Sequence, residues 1–436
     1  MKKLELAKWA SEYAISKGAE QVAVDVSNSR NVQITVRDKE IETLKETTEN
    51  SLNLSIYLDH KYSGHYTNDL RKESVKRLID EGVKSTKYLS QDNFRELVDP
   101  KFYPKDLSKD LNLLDNSYDD LSTEERIRIA KEVEASGAAV SDKIISVSGS
   151  FSDSLSENIK VLSNGFEGMS KKSYFSVSAG VTAKDNDARP EDWAWQGSRF
   201  FNQLPDFSKI GTDAAQRALR KIGQKKIDSG IYDMVVENRT VGRLIGTLIG
   251  PMSARSLQQK NSFLEGKIGE TIGSKLLNIV DDPLIESGMA SRLYDGDGIA
   301  AKKRVMVENG ILRNYYIDNY YGRKLGMDPT SSGTSNLVFS YGKKTLEEMI
   351  AGIEKGILVT SFNGGNSNGT TGDFSFGIGG MLIENGKITI PVYEMNITGN
   401  AVDFWQKLVE TANDRYYSSS WQTPSMLFEG IHFSGK

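Results

Sequence analysis

The sequence predicts an α+β protein: an N-terminal helix-and-sheet region, a similar middle unit, and a larger, mostly antiparallel, β-rich C-terminal domain. Three observations carry this prediction. In the first half, helical periodicities flank runs of apolar–polar alternation. After Ile231 the texture turns glycine-rich and strand-rich, with hairpin signals at Asn309-Gly310 and Asn385-Gly386. The chain has 436 residues and 38% apolar content. At ~150 residues per domain that suits about three folding units, large enough to bury a core without staples.

Residues 1–90 read as helix, strands, helix. Leu6, Trp9, Ala10, Tyr13 and Ala14 recur at helical spacing, and Gly18 stands where a C-cap glycine belongs. Gln21–Val26 and Val32–Val36 alternate as two half-buried strands. Leu52, Leu54, Ile56 and Leu58 continue the alternation into a turn over Asp59–Gly64 and a returning strand through Tyr66. Glu73–Lys84 is helical, with Val75, Leu78, Ile79 and Val83 on one face. A short antiparallel sheet flanked by two helices is the simplest assembly.

Residues 91–120 are polar and hold Pro100 and Pro104, which reads as a linker. Residues 121–228 form the middle α+β domain. Ser122-Thr123-Glu124-Glu125 opens a helix to about Ala135, its acids placed where the helix dipole favours them. Strands follow at Lys143–Ser152, Glu157–Leu162, Ser173–Ala183 and Trp193–Phe201, with a hairpin tip at Asn164-Gly165. Asp206–Ile222 closes the unit as a helix with Ile210, Ala214, Ala218 and Ile222 aligned. The reading leaves open that the first two units pack as one structural domain.

Residues 229–436 form the C-terminal domain. A strand at Tyr232–Val236 leads to an apolar helix at Val241–Ile249, ended near Gly250-Pro251. Leu244, Ile245, Leu248 and Ile249 are its packing residues. Seven glycines lie between Gly364 and Gly380, more than plain strands need. Close approach of backbone to a ligand or a second chain is one reason for such density, and loose loops are the other.

Composition excludes several classes of function. Lys plus Arg is 55 and Asp plus Glu is 59, a net charge of −4 that argues against a whole-surface nucleic-acid binder. There is no cysteine, so no disulfide, thiol nucleophile or thiolate metal site. The most apolar segment, Leu244–Met252, is far short of the ~20 residues a membrane span requires. Glu5, Lys8 and Glu12 interrupt any signal-peptide core, so a cytoplasmic protein is expected.

Candidate sites drawn from residue patterns are weak. The three histidines are His60, His65 and His432, and none is followed by glutamate. His60 and His65 flank a turn, where two surface histidines are the ordinary reading. Gly365-Asn366-Ser367-Asn368-Gly369 matches a nucleophile elbow literally, with Asp403 or Asp414 and then His432 as partners. But the residues after it, Thr370–Phe376, read as strand rather than helix. Gly364 and Gly369 have P-loop spacing, yet Thr370 stands where the lysine belongs. Asp295-Gly296-Asp297-Gly298 starts like a calcium loop, but Ile299 occupies position five.

Several ordered blocks together resemble the TldD/PmbA (TldE) family, historically called modulators of DNA gyrase. They are Gly242–Asp282 with Ser262–Gly269, Gly298-Ile299 through Gly310-Ile311-Leu312, Tyr321–Gly326, and Gly372–Phe376 leading to Ile383–Lys387. The resemblance covers nearly the whole chain. In the family's TldD branch an HExxxH helix and a later cysteine bind catalytic zinc. Here Gly246, Thr247 and Pro251 occupy the motif positions, and cysteine is absent. The resemblance therefore implies the zinc-free PmbA/TldE branch: a subunit without catalytic residues, metal or cofactor of its own, inactive without a partner. Zinc is expected in a TldD-like partner, in a heterodimer or higher assembly that cleaves small or unfolded peptides. The gyrase label implies an indirect effect, without direct contact to nucleic acid. Peptide-binding candidates are Gly364, Gly365, Gly372, Asp373 and Phe374, since main-chain capture needs close approach; Arg255, Lys260 and Trp421 are further surface candidates. The alternatives are a homodimeric peptide-binding or scaffold protein, and an enzyme acting through Ser367 and His432.

Overall fold

The computed structural model describes residues 2–436. The first half runs α1 (Lys3–Ser16), β1 (Gln21–Arg37), β2 (Glu40–Leu58), β3 (Lys61–Thr67), α2 (Lys72–Thr86). It continues α3 (Thr123–Ala138), β4 (Ile144–Leu162), β5 (Phe166–Ala183), β6 (Glu191–Ser198), α4 (Phe207–Arg220). Helix, three strands, helix thus occurs twice. The six strands form one sheet in the order β3-β2-β1-β4-β5-β6, mirrored about the antiparallel β1–β4 seam. The N-terminal and middle units therefore share a single sheet.

The two short strands expected at Gln21–Val26 and Val32–Val36 are one continuous strand. Ser27–Asn31 pairs with β2 on one side and with β4 on the other. Its polarity has a packing reason. Val22, Val24 and Val26 lie under α1 and α2, whereas Val32, Ile34 and Val36 lie under α3 and α4. Residues between them cross the gap between the two helix pairs: Ser27, Asn28, Ser29 and Arg30 are half-buried and Asn31 is exposed. The same holds for β4, which runs unbroken through Asp153–Ser156. At the far end β6 stops at Ser198, and Phe201–Gln203 turns into a short 3-10 helix.

Residues 91–120 hold two short 3-10 turns, Pro100–Phe102 and Tyr118–Asp120, and are not free. Leu97, Val98, Leu111 and Tyr118 are buried. The segment straps the C-terminal domain to the sheet: Tyr320 Oη donates to Asp92 at 2.6 Å, and the amides of Ala300 and Ser287 donate to the carbonyls of Phe102 and Leu111, each at 2.8 Å.

The C-terminal domain runs β7 (Gly230–Val236), α5 (Gly242–Ile249), α6 (Ala254–Gln258), β8 (Ile279–Asp281), β9 (Arg304–Glu308), β10 (Ile311–Leu312), α7 (Asn319–Leu325) and β11 (Leu337–Phe339). Then come α8 (Leu346–Ala351), β12 (Lys355–Ser367), β13 (Asp373–Glu384), β14 (Lys387–Asn400), α9 (Ala401–Gln406), β15 (Leu408–Thr411), β16 (Trp421–Gln422) and β17 (Met426–Ser434). One sheet has the order β14-β13-β12-β7-β17-β15, and a further β14–β17 pairing closes it on itself. A smaller sheet, β10-β9-β8-β11-β16, packs beside it. Both Asn-Gly tips adopt the left-handed turn expected of them, with φ of 50° and 76° at Asn309-Gly310 and 49° and 76° at Asn385-Gly386. Among the described residues no helix is long and apolar enough to cross a membrane.

The glycine-dense segment is neither loose loop nor, along most of its length, a surface awaiting another chain. It is the β12–β13 hairpin, and the close approach is to its own backbone. A Cβ on Gly380 would lie 2.0 Å from the Leu358 carbonyl oxygen, and one on Gly377 would lie 2.4 Å from that of Asn363. Gly380→Ala is therefore expected to cost ~1–3 kcal/mol through overpacking. Gly333→Ala, where a Cβ meets nothing within 4 Å, serves as control. Equal urea midpoints for the two variants would refute the assignment.

Candidate functional site

Helix α5 buries Leu244, Ile245 and Leu248 in the C-terminal core and turns Arg243, Gly246 and Gly250 outward. Thr247 is nearly buried, and its hydroxyl donates to the Leu244 carbonyl at 2.6 Å. Pro251, which lacks an N–H, follows the helix end. Between this end and the tip of the β12–β13 hairpin lies a cavity of about 180 Å3. Gly246, Thr247 and Pro251 line one side, and Ser367, Gly369 and Gly372 the other. Its entire lining is Gly, Pro, Thr, Ser and Asn. A zinc site draws on imidazole, thiolate or carboxylate, so this donor set does not fit the metal. Space is not the obstacle, because a Cβ on Gly246 would meet nothing within 4 Å.

The hairpin borders two larger spaces. A cavity of about 360 Å3 is lined by Gly365, Tyr393 and Glu394 among others. A cleft of about 1280 Å3 separates the middle unit from the C-terminal domain and reaches Gly364. The three glycine candidates thus line three different spaces around one hairpin. Asp373 lies at none of them: it is exposed and accepts from the Thr371 hydroxyl at 2.6 Å and from Asn400 Nδ2 at 3.1 Å. Those two hydrogen bonds hold its carboxyl below the usual range. Phe374 is placed in the core rather than at a cavity. The residue is 6% exposed, and its ring is stacked on Phe376 at 5.2 Å and edge-on to Phe404 at 5.3 Å.

The two walls of the large cleft are tied together by charge. Asp192 on β6 meets Arg239 at 2.8 Å, Lys221 at 3.1 Å and Arg217 at 3.4 Å. Arg217 also grips Glu237 in a fork at 2.6 and 2.7 Å. The outer edge of β6 is closed by side chains rather than by another strand. Lys221 Nζ donates to the Glu191 carbonyl at 2.7 Å, Arg239 Nη1 to that of Trp193 at 2.6 Å, and Tyr416 Oη to that of Trp195 at 3.4 Å. The opposite wall differs. Strand β7 pairs with β12 only over Gly356–Val359, so Thr360–Asn363 has β13 on one side and the cleft on the other. This is a strand edge of the kind that accepts an extended chain.

The histidines are scattered. His60 is exposed at the β2–β3 turn with φ 56°. His65 Nε2 lies 2.8 Å from the Ser63 hydroxyl, and burial against α2 lowers its pKa. His432 is exposed on β17, opposite Ile231. Among the described residues no three His, Cys, Asp or Glu side chains group as metal ligands. Ser367 ends a β-strand and leads into a hairpin turn, not the strand-to-helix elbow a nucleophile needs. Asp414 is engaged with Ser425, which donates from both N and Oγ, at 2.8 and 2.7 Å. Asp295 caps its own loop, accepting from the amides of Asp297 and Ile299 at 3.0 and 2.9 Å. Of the surface candidates, Arg255 is exposed, Lys260 pairs with Glu265, and Trp421 packs against the core.

Residue patterns missed Arg243, Arg239 and Asp192. Only Arg243 left a trace: it is the single charge in the apolar stretch Val241–Ile249.

Family models described as PmbA/TldA metallopeptidase domain 1, central domain and C-terminal domain match residues 22–86, 116–222 and 229–435. Metalloprotease PmbA of Escherichia coli O157:H7 is 27% identical over 426 residues, covering 97% of this chain and 93% of that protein. A Haemophilus influenzae TldD homologue, also described as a metalloprotease, is 27% identical over 68% of this chain and 66% of its own length. A Bacteroides thetaiotaomicron crystal structure, described as a modulator of DNA gyrase, is 42% identical with a TM-score of 0.97, covering 99% of this chain and 98% of that one. TldE from Thermococcus kodakarensis superposes with a TM-score of 0.87 over 99% of both chains. Its 20% identity shows a common fold alone.

Proposed function

The chain belongs to the PmbA/TldD metallopeptidase family, and from that premise we propose that it is the zinc-free subunit of a zinc peptidase complex that cleaves small or unfolded peptides. A TldD-like partner carries the metal, and this chain shapes the space in which peptide is held. The observation that supports this most is the cavity at the end of α5. It lies where the resemblance places the zinc motif, with room for ligands and none of the side chains that bind zinc. Hydrolysis of this type uses the metal to polarise the carbonyl and activate water. No residue lining that cavity can replace it. What this chain offers instead is main chain: the strand edge at Thr360–Asn363 faces the large cleft and suits capture of an extended peptide.

The test is metal content and hydrolysis of an unfolded peptide by the purified chain, alone and mixed with a zinc-motif paralogue from the same cell. The expected result is substoichiometric zinc and no hydrolysis alone, with hydrolysis in the mixture exceeding that of the paralogue by itself. Stoichiometric zinc with hydrolysis by this chain alone would overturn the proposal.

A further inference from the structure

We propose that the cleft between β6 and β12 selects acidic peptide segments, with Arg243 and Arg189 as its carboxylate-binding residues. This rests on the peptide-holding role above and adds the class of peptide held.

The cleft is lined by five cationic side chains and only two carboxylates. Most of that charge is already engaged. Arg239 and Lys221 meet Asp192, and Arg37 meets Glu42. Among the described residues Arg189 and Arg243 have no acidic partner. They stand on opposite walls, Arg189 just before β6 and Arg243 on α5.

Neither side chain is loose. The Arg243 guanidinium lies over the Phe376 ring, 4.7 Å from its centroid, and Nη2 donates to the carbonyls of Gly365 and Gly364 at 3.0 and 3.5 Å. Those glycines have φ of 82° and 68°, at a bulge in β12 between Asn363 and Asn366. The bulge requires a backbone that glycine adopts at least cost. So the glycine pair reads as a mount for the arginine. Arg189 Nη1 donates to the carbonyls of Asn186 and Ala188 at 2.9 and 2.8 Å. A guanidinium held in this way keeps further N–H groups for a ligand and loses little freedom when a carboxylate docks on it.

The unpaired edge of β12 makes peptide the favoured ligand. An extended peptide lying along Thr360–Asn363 satisfies main-chain groups there and projects alternate side chains to the same side. A nucleic acid has no peptide main chain to offer that edge.

The test is fluorescence anisotropy with the full chain and two fluorescein-labelled, C-terminally amidated Gly/Ser peptides. One carries glutamate at alternate positions and the other glutamine. The glutamate peptide is expected to bind about tenfold more tightly, the equivalent of one charge-assisted contact, and less so as salt rises. Arg243→Gln and Arg189→Gln should each remove most of that preference. Arg128→Gln, an exposed change on α3 away from the cleft, should keep it. Equal binding of both peptides, or a preference unchanged in both cleft variants, overturns the selectivity and leaves the peptide-holding role standing. Displacement by single-stranded oligothymidine as effective as by the glutamate peptide also overturns it. Binding of neither peptide, alone or with the zinc-bearing paralogue, overturns both readings.

Discussion

Asp153→Asn is expected to cost ~3–5 kcal/mol of stability, the range found when one partner of a buried ion pair is removed. Asp153 sits on β4 at the middle of the shared sheet, its side chain fully buried, and Arg126 on α3 is only 2% exposed. The carboxylate accepts from Arg126 Nε at 2.5 Å and Nη2 at 3.3 Å, and from the Tyr118 hydroxyl. Arg126 also donates to the Leu121 carbonyl. An amide of the same shape preserves volume and leaves the guanidinium buried without its counter-charge, so the cost is electrostatic. The companion measurement separates this from packing. Arg126→Met with Asp153→Leu removes both charges and is expected to recover most of the loss. A urea unfolding midpoint for Asp153→Asn close to wild type would show the pair to be dispensable.

Asp192→Asn is expected to cost ~3 kcal/mol at neutral pH, by leaving Arg217 and Arg239 to share Glu237 and Lys221 without a carboxylate at the seam between domains. The Asp192 side chain is 4% exposed. Burial by itself pushes its pKa up. Arg217, Lys221, the Trp193 amide and Arg239 together outweigh that, and the carboxyl titrates below its usual range. The sign of the pH dependence follows. A carboxyl depressed in the folded state contributes fully above its unfolded value near pH ~3.9, and the contribution is lost as pH falls through the lower folded value. Wild type and variant should therefore differ most at neutral pH and converge in strong acid. A gap in melting temperature that does not narrow below pH ~4 would contradict this origin. The same substitution removes one anchor from Arg239 and the carboxylate from Lys221, which close the β6 edge, so protease cutting near Trp193 should rise in the variant.

The elements legible from sequence are those whose cause lies within a few residues. Ser122 and Asp206 open their helices as caps, their side chains accepting from the amides of Glu125 and Ser208. The two Asn-Gly tips form because only those backbones enter the left-handed region cheaply. The apolar face of α5 follows from its own spacing. The polar middles of β1 and β4 misled for the same reason. Alternation reports which side chains a strand buries, and Ser27–Asn31 bridges two cores while burying little of either. The glycines of β12 and β13 misled because their crowding partner is the neighbouring strand, which no local pattern names.

For the candidate site the division is sharper. The inventory of side chains is a property of the sequence alone. With no cysteine, three histidines, and Gly246, Thr247 and Pro251 at the helix end, the chemistry available there was limited before any fold was known. Which charges remain unspent is not in the inventory. Arg189 and Arg243 look like any other arginines until packing gives Asp192 to Arg239 and Lys221, and Glu42 to Arg37. Nor does the sequence say that β7 stops pairing at Val359 and leaves the next residues of β12 open to the cleft. Long-range pairing decides both, because a charge or a strand edge is free only when nothing distant in the chain has folded against it.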